Sequence, residues 1–485
     1  MPARVYWRRL TARKAGGLWI VDSRSYLTLG IRWFVLLAGS AGAGLCWSGI
    51  VAGDLSVAAR SALAVSSITV GLWASELIAL PVTALLGMVL LYVTGAAGTV
   101  DQALSGFASP VLFFLLGSAG LGIAAEHVGL TERMAAWLLE RSRGSGRRLL
   151  GELLLSMPLQ ALAVPSAISR NAVLVPVYER VLDRLGSPRR LGMAIMLTLG
   201  VLGPLASSAL LSGGTSPVAA SQAIGGFTWM TWLVALAPPY YVLLGVGGIA
   251  VWLFARPERA IVTAAEVQVT PPGRLGSAEW RVAAVCIATS LLWMGDRFTH
   301  WPTAVPALLA LVVLVTPRIG VMTWQRFSRS APWGTCTVLA GAVSLAASLT
   351  RSGAAAWMAH GLFGRIAVPS TSWAMALAVF AVMGLITLAI PNRAAAITLG
   401  IPLATAYAAG SPLNAAAAGL VVMIVVDAET IYPAQTAANL LAYERGYFSG
   451  GQLARLNAIT LAAAAAVVVF VALPWWSLVG LPAVH

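Results

Sequence analysis

The chain has 485 residues, of which 59% are apolar and 10% charged, where soluble domains carry about 25% charged residues. With a mean hydropathy of +0.84, a soluble fold is excluded, and the length reads as one polytopic membrane bundle instead of several soluble domains. Thirty-one Lys and Arg against 17 Asp and Glu give a net charge of +14; because the basic residues cluster in short loops between apolar runs, that charge reports topology and not nucleic-acid binding.

Apolar runs of about 20 residues recur from Trp33 almost to the C-terminus. They predict spans at 33–52, 58–76, 78–96, 109–126, 190–212, 228–254, 279–296, 302–316, 333–350, 412–432 and 457–477, an all-α polytopic membrane protein of about 11 spans. The basic N-terminus MPARVYWRRLTARK is followed by an apolar run that starts too late and runs too long for a cleaved signal peptide. Residues 1–56 therefore read as a basic segment and a retained first span, with the N-terminus in the cytoplasm of, in a bacterium, the inner membrane. Cys46, Cys286 and Cys336 lie apart, without CxxC spacing, and read as packing residues. His127, His300 and His360 near helix ends, and most of the 18 Trp residues, read as interfacial.

Two segments do not fit a simple crossing. Segment 149–179 is apolar but lies between the clusters Arg141, Arg143, Arg147, Arg148 and Arg180, Arg184, Arg189, Arg190. If both clusters are cytoplasmic, the segment enters and leaves on one side, as a re-entrant hairpin with its tip near Pro165. Segment 370–410 has the same Pro-broken middle at Ile390-Pro391, with few charges on its flanks, as expected of a hairpin entering from outside. VPSAISRNAVLVP (164–176) and IPNRAAAITLGIP (390–402) share aliphatic-Pro pairs at both ends, 226 residues apart. LLGSAGLGIAAEHVG (115–129) and LAGAVSLAASLTRSG (339–353) align Gly117 with Gly341 and Gly129 with Gly353, 224 residues apart. Two matches at nearly one offset predict an internal repeat, and the opposite loop charges predict that it is inverted. The first repeat spans 57–255 and the second 279–480, joined by a polar cytoplasmic linker at 256–278. Segments 130–143 and 354–364 read as amphipathic surface helices anchored by Trp137 and Trp357.

At these residues the chain resembles the divalent anion/sodium symporter family, which carries dicarboxylates, citrate and sulfate. LWASELIALPVTALL (72–86) is similar to an early family stretch that includes Glu76, except that Ala79 stands where a proline is usual. Residues 105–135 and 330–358 are similar to the helices that open each family repeat. The resemblance implies a homodimer with a scaffold domain at the interface and a mobile transport domain holding two opposed hairpins, working by an elevator motion. The family's hairpin tips carry Ser-Asn-Thr; here the triplets are Ser166-Ala167-Ile168 and Asn392-Arg393-Ala394. At the first tip the sequence Pro165-Ser166-Ala167-Ile168-Ser169-Arg170 is closer to the Pro-Ser-Asn-Thr-Ala-Arg of the di- and tricarboxylate exchanger branch, matching it at Pro, Ser and Arg.

A hairpin tip exposes unpaired N–H groups at the start of its second arm, where the helix dipole also favours an anion. Arg170 and Arg393 add full charges with forked donors that suit carboxylate or sulfate, so a dianion bound between the tips would pair both. Ser166, Ser169, Asn171 and Asn392 complete the tips' candidate contacts. The Gly/Pro-broken sites SGGTSPVAASQ (212–222) and IYPAQTAANLLAY (431–443) add Thr215, Ser216, Gln435, Thr436 and Asn439, at positions where the family has breaks in discontinuous helices. Asp427 and Glu429 have two open readings: structural partners of the arginines, or carriers of a coupled proton. No nucleotide loop, Ser-His-Asp set or HExxH pattern is present in the sequence, so neither an enzyme nor a cofactor or metal is expected. The expected function is secondary transport of a small divalent anion, most simply sodium-independent dicarboxylate exchange. The alternatives are sodium- or proton-coupled symport of sulfate or a related oxyanion, and a non-transporting membrane anion sensor.

Overall fold

The computed structural model describes residues 12–15, 18–21, 23–75, 77–142, 145–163, 167–184, 188–256, 275–363, 371–389, 393–409, 411–431 and 433–481. Glu76, both hairpin tips at 164–166 and 390–392, and positions 257–274 of the linker lie outside them. Two four-residue antiparallel strands, Ala12–Ala15 and Leu18–Val21, precede the helices; among the described residues every later regular element is helical. The helices are α1 (Ser23–Trp47), α2 (Val57–Ser75), α3 (Leu80–Val93), α4 (Pro110–His127), α5 (Leu130–Arg141), α6 (Gly146–Ala163), α7 (Ala167–Arg184), α8 (Arg189–Ser208), α9 (Thr215–Ile224) and α10 (Trp229–Ala255). After the linker come α11 (Ser277–Met294), α12 (Ala304–Val315), α13 (Trp333–Arg351), α14 (Ala354–Phe363), α15 (Ser372–Ala389), α16 (Arg393–Ala408), α17 (Ala415–Ala428), α18 (Ala437–Tyr443) and α19 (Gly450–Leu478).

Among the described residues, six helices of at least 18 residues are long and apolar enough to cross a membrane: α2, α4, α8, α10, α13 and α19. Several expected spans resolve into shorter pieces for local reasons. The 190–212 run becomes α8, which passes through a π turn at Thr198–Leu202 and stops before Gly213 and Gly214. Pro204 follows that π turn, and Pro474 follows a second one at Val468–Ala472 in α19. Proline removes an N–H and clashes with the carbonyl four residues back, and the wider turn accommodates both effects. The 412–432 run is helical only over α17, started by Asn414, whose Oδ1 accepts from the Ala416 N–H at 2.7 Å. The last span begins earlier than its apolar run, because Ser449 and Gln452 form a reciprocal cap that nucleates α19 at Gly450. The first helix likewise starts at Ser23, ahead of its apolar run.

The two halves have the same element order, and their opening helices pack reciprocally. Gly117 of α4 lies against Ala307 of α12, and Gly341 of α13 lies against Ala84 of α3, each so close that a Cβ on the glycine would collide with its neighbour. Gly129 and Gly353, which close those opening helices, both have positive φ, 82° and 78°, the left-handed turn that favours glycine. The expected hairpins take α6 with α7 and α15 with α16 as their arms; the tips that would join them lie outside the described residues. The second arm of each hairpin packs on the short helix that follows the break in the other half, α7 on α18 and α16 on α9. Helix α8 is buried from Leu191 to Ser208 and forms the centre of the bundle.

Candidate functional site

A cavity of about 520 Å³ lies where these pieces meet, a size suited to a small-molecule ligand. Its wall takes Ala167 and Arg393, the first described residues of the two second arms, together with Gly213 to Pro217 after α8 and Gln435, Thr436 and Ala438 around the start of α18. The opening helices contribute Ser118 and Thr335, and α8 contributes Pro204 and Ser208. Helices α7, α9 and α16 all start at this wall. The first N–H groups of a helix have no partner in that helix, and the dipole adds positive charge there, so three helix starts around one cavity favour an anion.

Thr215 begins α9 after Gly214, in a break that only glycine permits: a Cβ on Gly213 would collide with the Ser207 carbonyl. Thr436 accepts the Asn439 N–H at 3.1 Å and so caps α18. The structure thus brings Thr215, Ser216, Arg393, Gln435 and Thr436 to one cavity. It places Arg170, Asn171 and Asn439 in packed contacts behind the wall. Arg170 is buried and donates through Nη2 to Ser207 Oγ. Asn171 Nδ2 donates to the Leu199 carbonyl at 2.8 Å, freed in the π turn, and to the Ala438 carbonyl at 3.2 Å. Asn439 Nδ2 donates to the Pro433 carbonyl at 3.3 Å. Ser166, Asn392 and the side chain of Ser169 lie outside the described residues.

Arg393 is the cation of the site. Its Nη1 lies 3.4 Å from Asp427 Oδ1, and its Nη2 donates to the Asp427 carbonyl at 3.1 Å and to Thr430 Oγ1 at 2.9 Å. Its Nε–H has no partner among the described residues. Arginine opposes the dipole at the start of α16, but the guanidinium also sits on the carbonyl end of α17, where a positive charge is favoured. Asp427 receives a second donor, Tyr240 Oη at 2.9 Å, from α10 in the other half of the chain. Glu429, two residues on, makes no such pair, and both of its oxygens are buried without a partner among the described residues. Sequence reasoning missed Tyr240, Ser118, Ser208 and Thr335. Tyr240 stands in an apolar run as Pro-Pro-Tyr-Tyr, and Ser118 follows a repeat-matched glycine; both were readable signals.

Residues 50–481 match the family described as the sodium:sulfate symporter transmembrane region. The chain belongs to this family. It is a membrane transporter, and in such a protein loops and helix starts converge on a cavity because irregular backbone inside a membrane is tolerated where it lines one. Among its relatives, a membrane protein of Cupriavidus necator is 26% identical over 462 residues, covering 87% of this chain and 88% of that one. A citrate/succinate antiporter of Escherichia coli is 25% identical over 274 residues, 53% of this chain and 55% of its own length. A sodium-dependent dicarboxylate transporter of Staphylococcus aureus is 22% identical over 333 residues, 60% and 62% of the two chains.

Proposed function

We propose that this transporter exchanges small dianions, dicarboxylates foremost, without sodium. The observation that carries the reading is Arg393. A carbonyl oxygen, a hydroxyl and a carboxylate at the end of a broken helix are the oxygens a hard monovalent cation would take in such transporters, and here a guanidinium occupies them. A tethered cation supplies the charge that a dissolved one otherwise brings, and it cannot be released at either side. Transport is then driven by the anion on the far side. The cavity's helix starts and Thr215, Ser216, Gln435 and Thr436 supply donors for two carboxylates, and the antiporter named among the relatives acts on such substrates.

The rest of the reading follows the repeat. The two halves are inverted, the protein is a homodimer in the bacterial inner membrane with a cytoplasmic N-terminus, and the hairpins with α9 and α18 move against α3, α4, α12 and α13 as an elevator. Units 57–255 and 279–480 are its repeats. The shared element order and the reciprocal glycine contacts support this arrangement.

The test is uptake of labelled succinate by proteoliposomes. Uptake is expected only when the lumen holds unlabelled dianion, at the same rate in sodium or choline. Uptake into empty vesicles that stops when choline replaces sodium rejects the exchanger reading in favour of sodium-coupled symport.

A further inference from the structure

Glu429 closes the carbonyl end of α17, its N–H donating to the Val425 carbonyl at 3.0 Å. The residue is fully buried at 0% exposure, and neither carboxylate oxygen meets a donor among the described residues. The neighbouring cation is largely engaged: both Nη atoms of Arg393 are committed to Asp427 and Thr430, which leaves its Nε–H alone without a partner among the described residues. What lies against the carboxyl is the first arm of the second hairpin: a methyl built on Gly384 of α15 would sit 3.9 Å from Glu429 Oε2.

Among the described residues, the ionisable groups around it are few. Helix α15 has none, and α9 has none. Helix α16 brings Arg393 and Tyr407; α17 brings Asp427; α10 brings Tyr240, bonded to Asp427, and its neighbour Tyr241. Helix α19 presents Asn457, which takes the Thr430 N–H, and Thr460, while its Arg455 is exposed; Arg189 and Arg190 of α8 are exposed at that helix's opposite end. Arg393 and Asp427 cancel, so an ionised Glu429 would place an uncompensated negative charge behind a wall built for an anion. An unpaired buried carboxylate takes up a proton instead of remaining charged.

We propose that Glu429 is a proton-binding site of this transporter, holding its proton while the second hairpin covers it and releasing it when the hairpin moves away, so that anion binding is coupled to protonation. The proton enters on Oε1 or Oε2 and leaves to water; no other bond changes. The direction of coupling rests on the anion-exchange reading above, whereas proton binding itself does not.

Two measurements separate them. In the wild-type protein without substrate, dicyclohexylcarbodiimide, which adds to protonated carboxyls in apolar surroundings, is expected to label Glu429, with the adduct located by mass spectrometry and lost as pH rises. In proteoliposomes, succinate counterflow is expected to slow as pH rises, while Glu429→Gln, which mimics the protonated form, keeps its acidic-pH rate throughout. An unlabelled Glu429 at acidic pH in the folded wild type overturns the proposal, as does an unchanged pH profile in the Gln variant. Sodium-stimulated uptake that Glu429→Gln abolishes overturns it too, by making the carboxylate a metal ligand. Labelling of Glu429 in a protein that exchanges no succinate leaves the proton site standing and removes the exchange reading.

Discussion

The two hairpins hold their arginines in opposite ways. At the first, Arg170 sits one turn inside α7 and meets the neutral hydroxyl of Ser207, with Asn171 beside it bonded to two backbone carbonyls. At the second, Arg393 is the first residue of α16, lines the cavity, and meets a carboxylate, a carbonyl and a hydroxyl at the end of α17. The halves share their element order, yet only the second half carries an acid pair at its break, Asp427 and Glu429. The backbone elements correspond between the halves, and the acidic charge lies on one side only. The first arginine is a buried packing residue; the second is where a buried ion pair and the cavity wall coincide.

Removing the second guanidinium tests that contrast most severely. Arg393→Ala leaves Asp427 buried against the neutral hydroxyls of Tyr240 and Ser208, and breaking a buried ion pair from one side costs about 3–5 kcal/mol. A large drop in melting temperature and loss of succinate exchange are both expected. The apolar double replacement Arg393→Met with Asp427→Leu removes both charges, so it is expected to recover most of the stability and none of the transport. Recovery of transport would show that Arg393 serves the fold alone.

Tyr240→Phe comes next. It deletes the 2.9 Å bond that ties α10 to the ion pair, and a hydrogen bond to a charged group is worth about 1.5–3 kcal/mol. Thermal unfolding reads this loss directly. On the first side, Asn171→Ala removes two neutral bonds, worth about 1–3 kcal/mol together, with the anion affinity retained, because Asn171 is not on the cavity wall. A succinate affinity that falls with Asn171→Ala and survives Tyr240→Phe would invert the contrast between the halves.

Much of this arrangement was legible in the sequence. The offset matches at 164–176 and 390–402 include the starts of α7 and α16, whose preceding tips lie outside the described residues, and the Gly/Pro-broken segments at 212–222 and 431–443 contain the starts of α9 and α18. Periodicity could not separate wall from packing at these places. Arg170 and Arg393 looked alike as arginines near tips, and their difference is one of helical position: the first residue of an arm faces the cavity, while a residue one turn later meets the neighbouring helix. Asn439 was grouped with Thr436 for the same reason. The Tyr240–Asp427 bond joins residues 187 positions apart, and nothing local to either residue encodes it. Helix ends shifted wherever a cap outweighed hydropathy, as at Ser449 and Asn414.

The smallest effect contrasts two threonines at equivalent breaks. Thr436 spends its hydroxyl on capping α18, so Thr436→Ala is expected to cost about 1 kcal/mol of stability. Thr215 makes no cap at the start of α9, which leaves its hydroxyl available on the same wall. Thr215→Ala is therefore expected to change stability by less than about 0.5 kcal/mol and to weaken dianion binding about tenfold, the loss of one hydrogen bond to a charged group. Thermal unfolding with and without succinate measures both quantities in one experiment. A Thr215→Ala protein that melts lower yet keeps its full succinate-induced shift would make both threonines structural, and would move the recognition of the anion onto Arg393 and the bare helix starts.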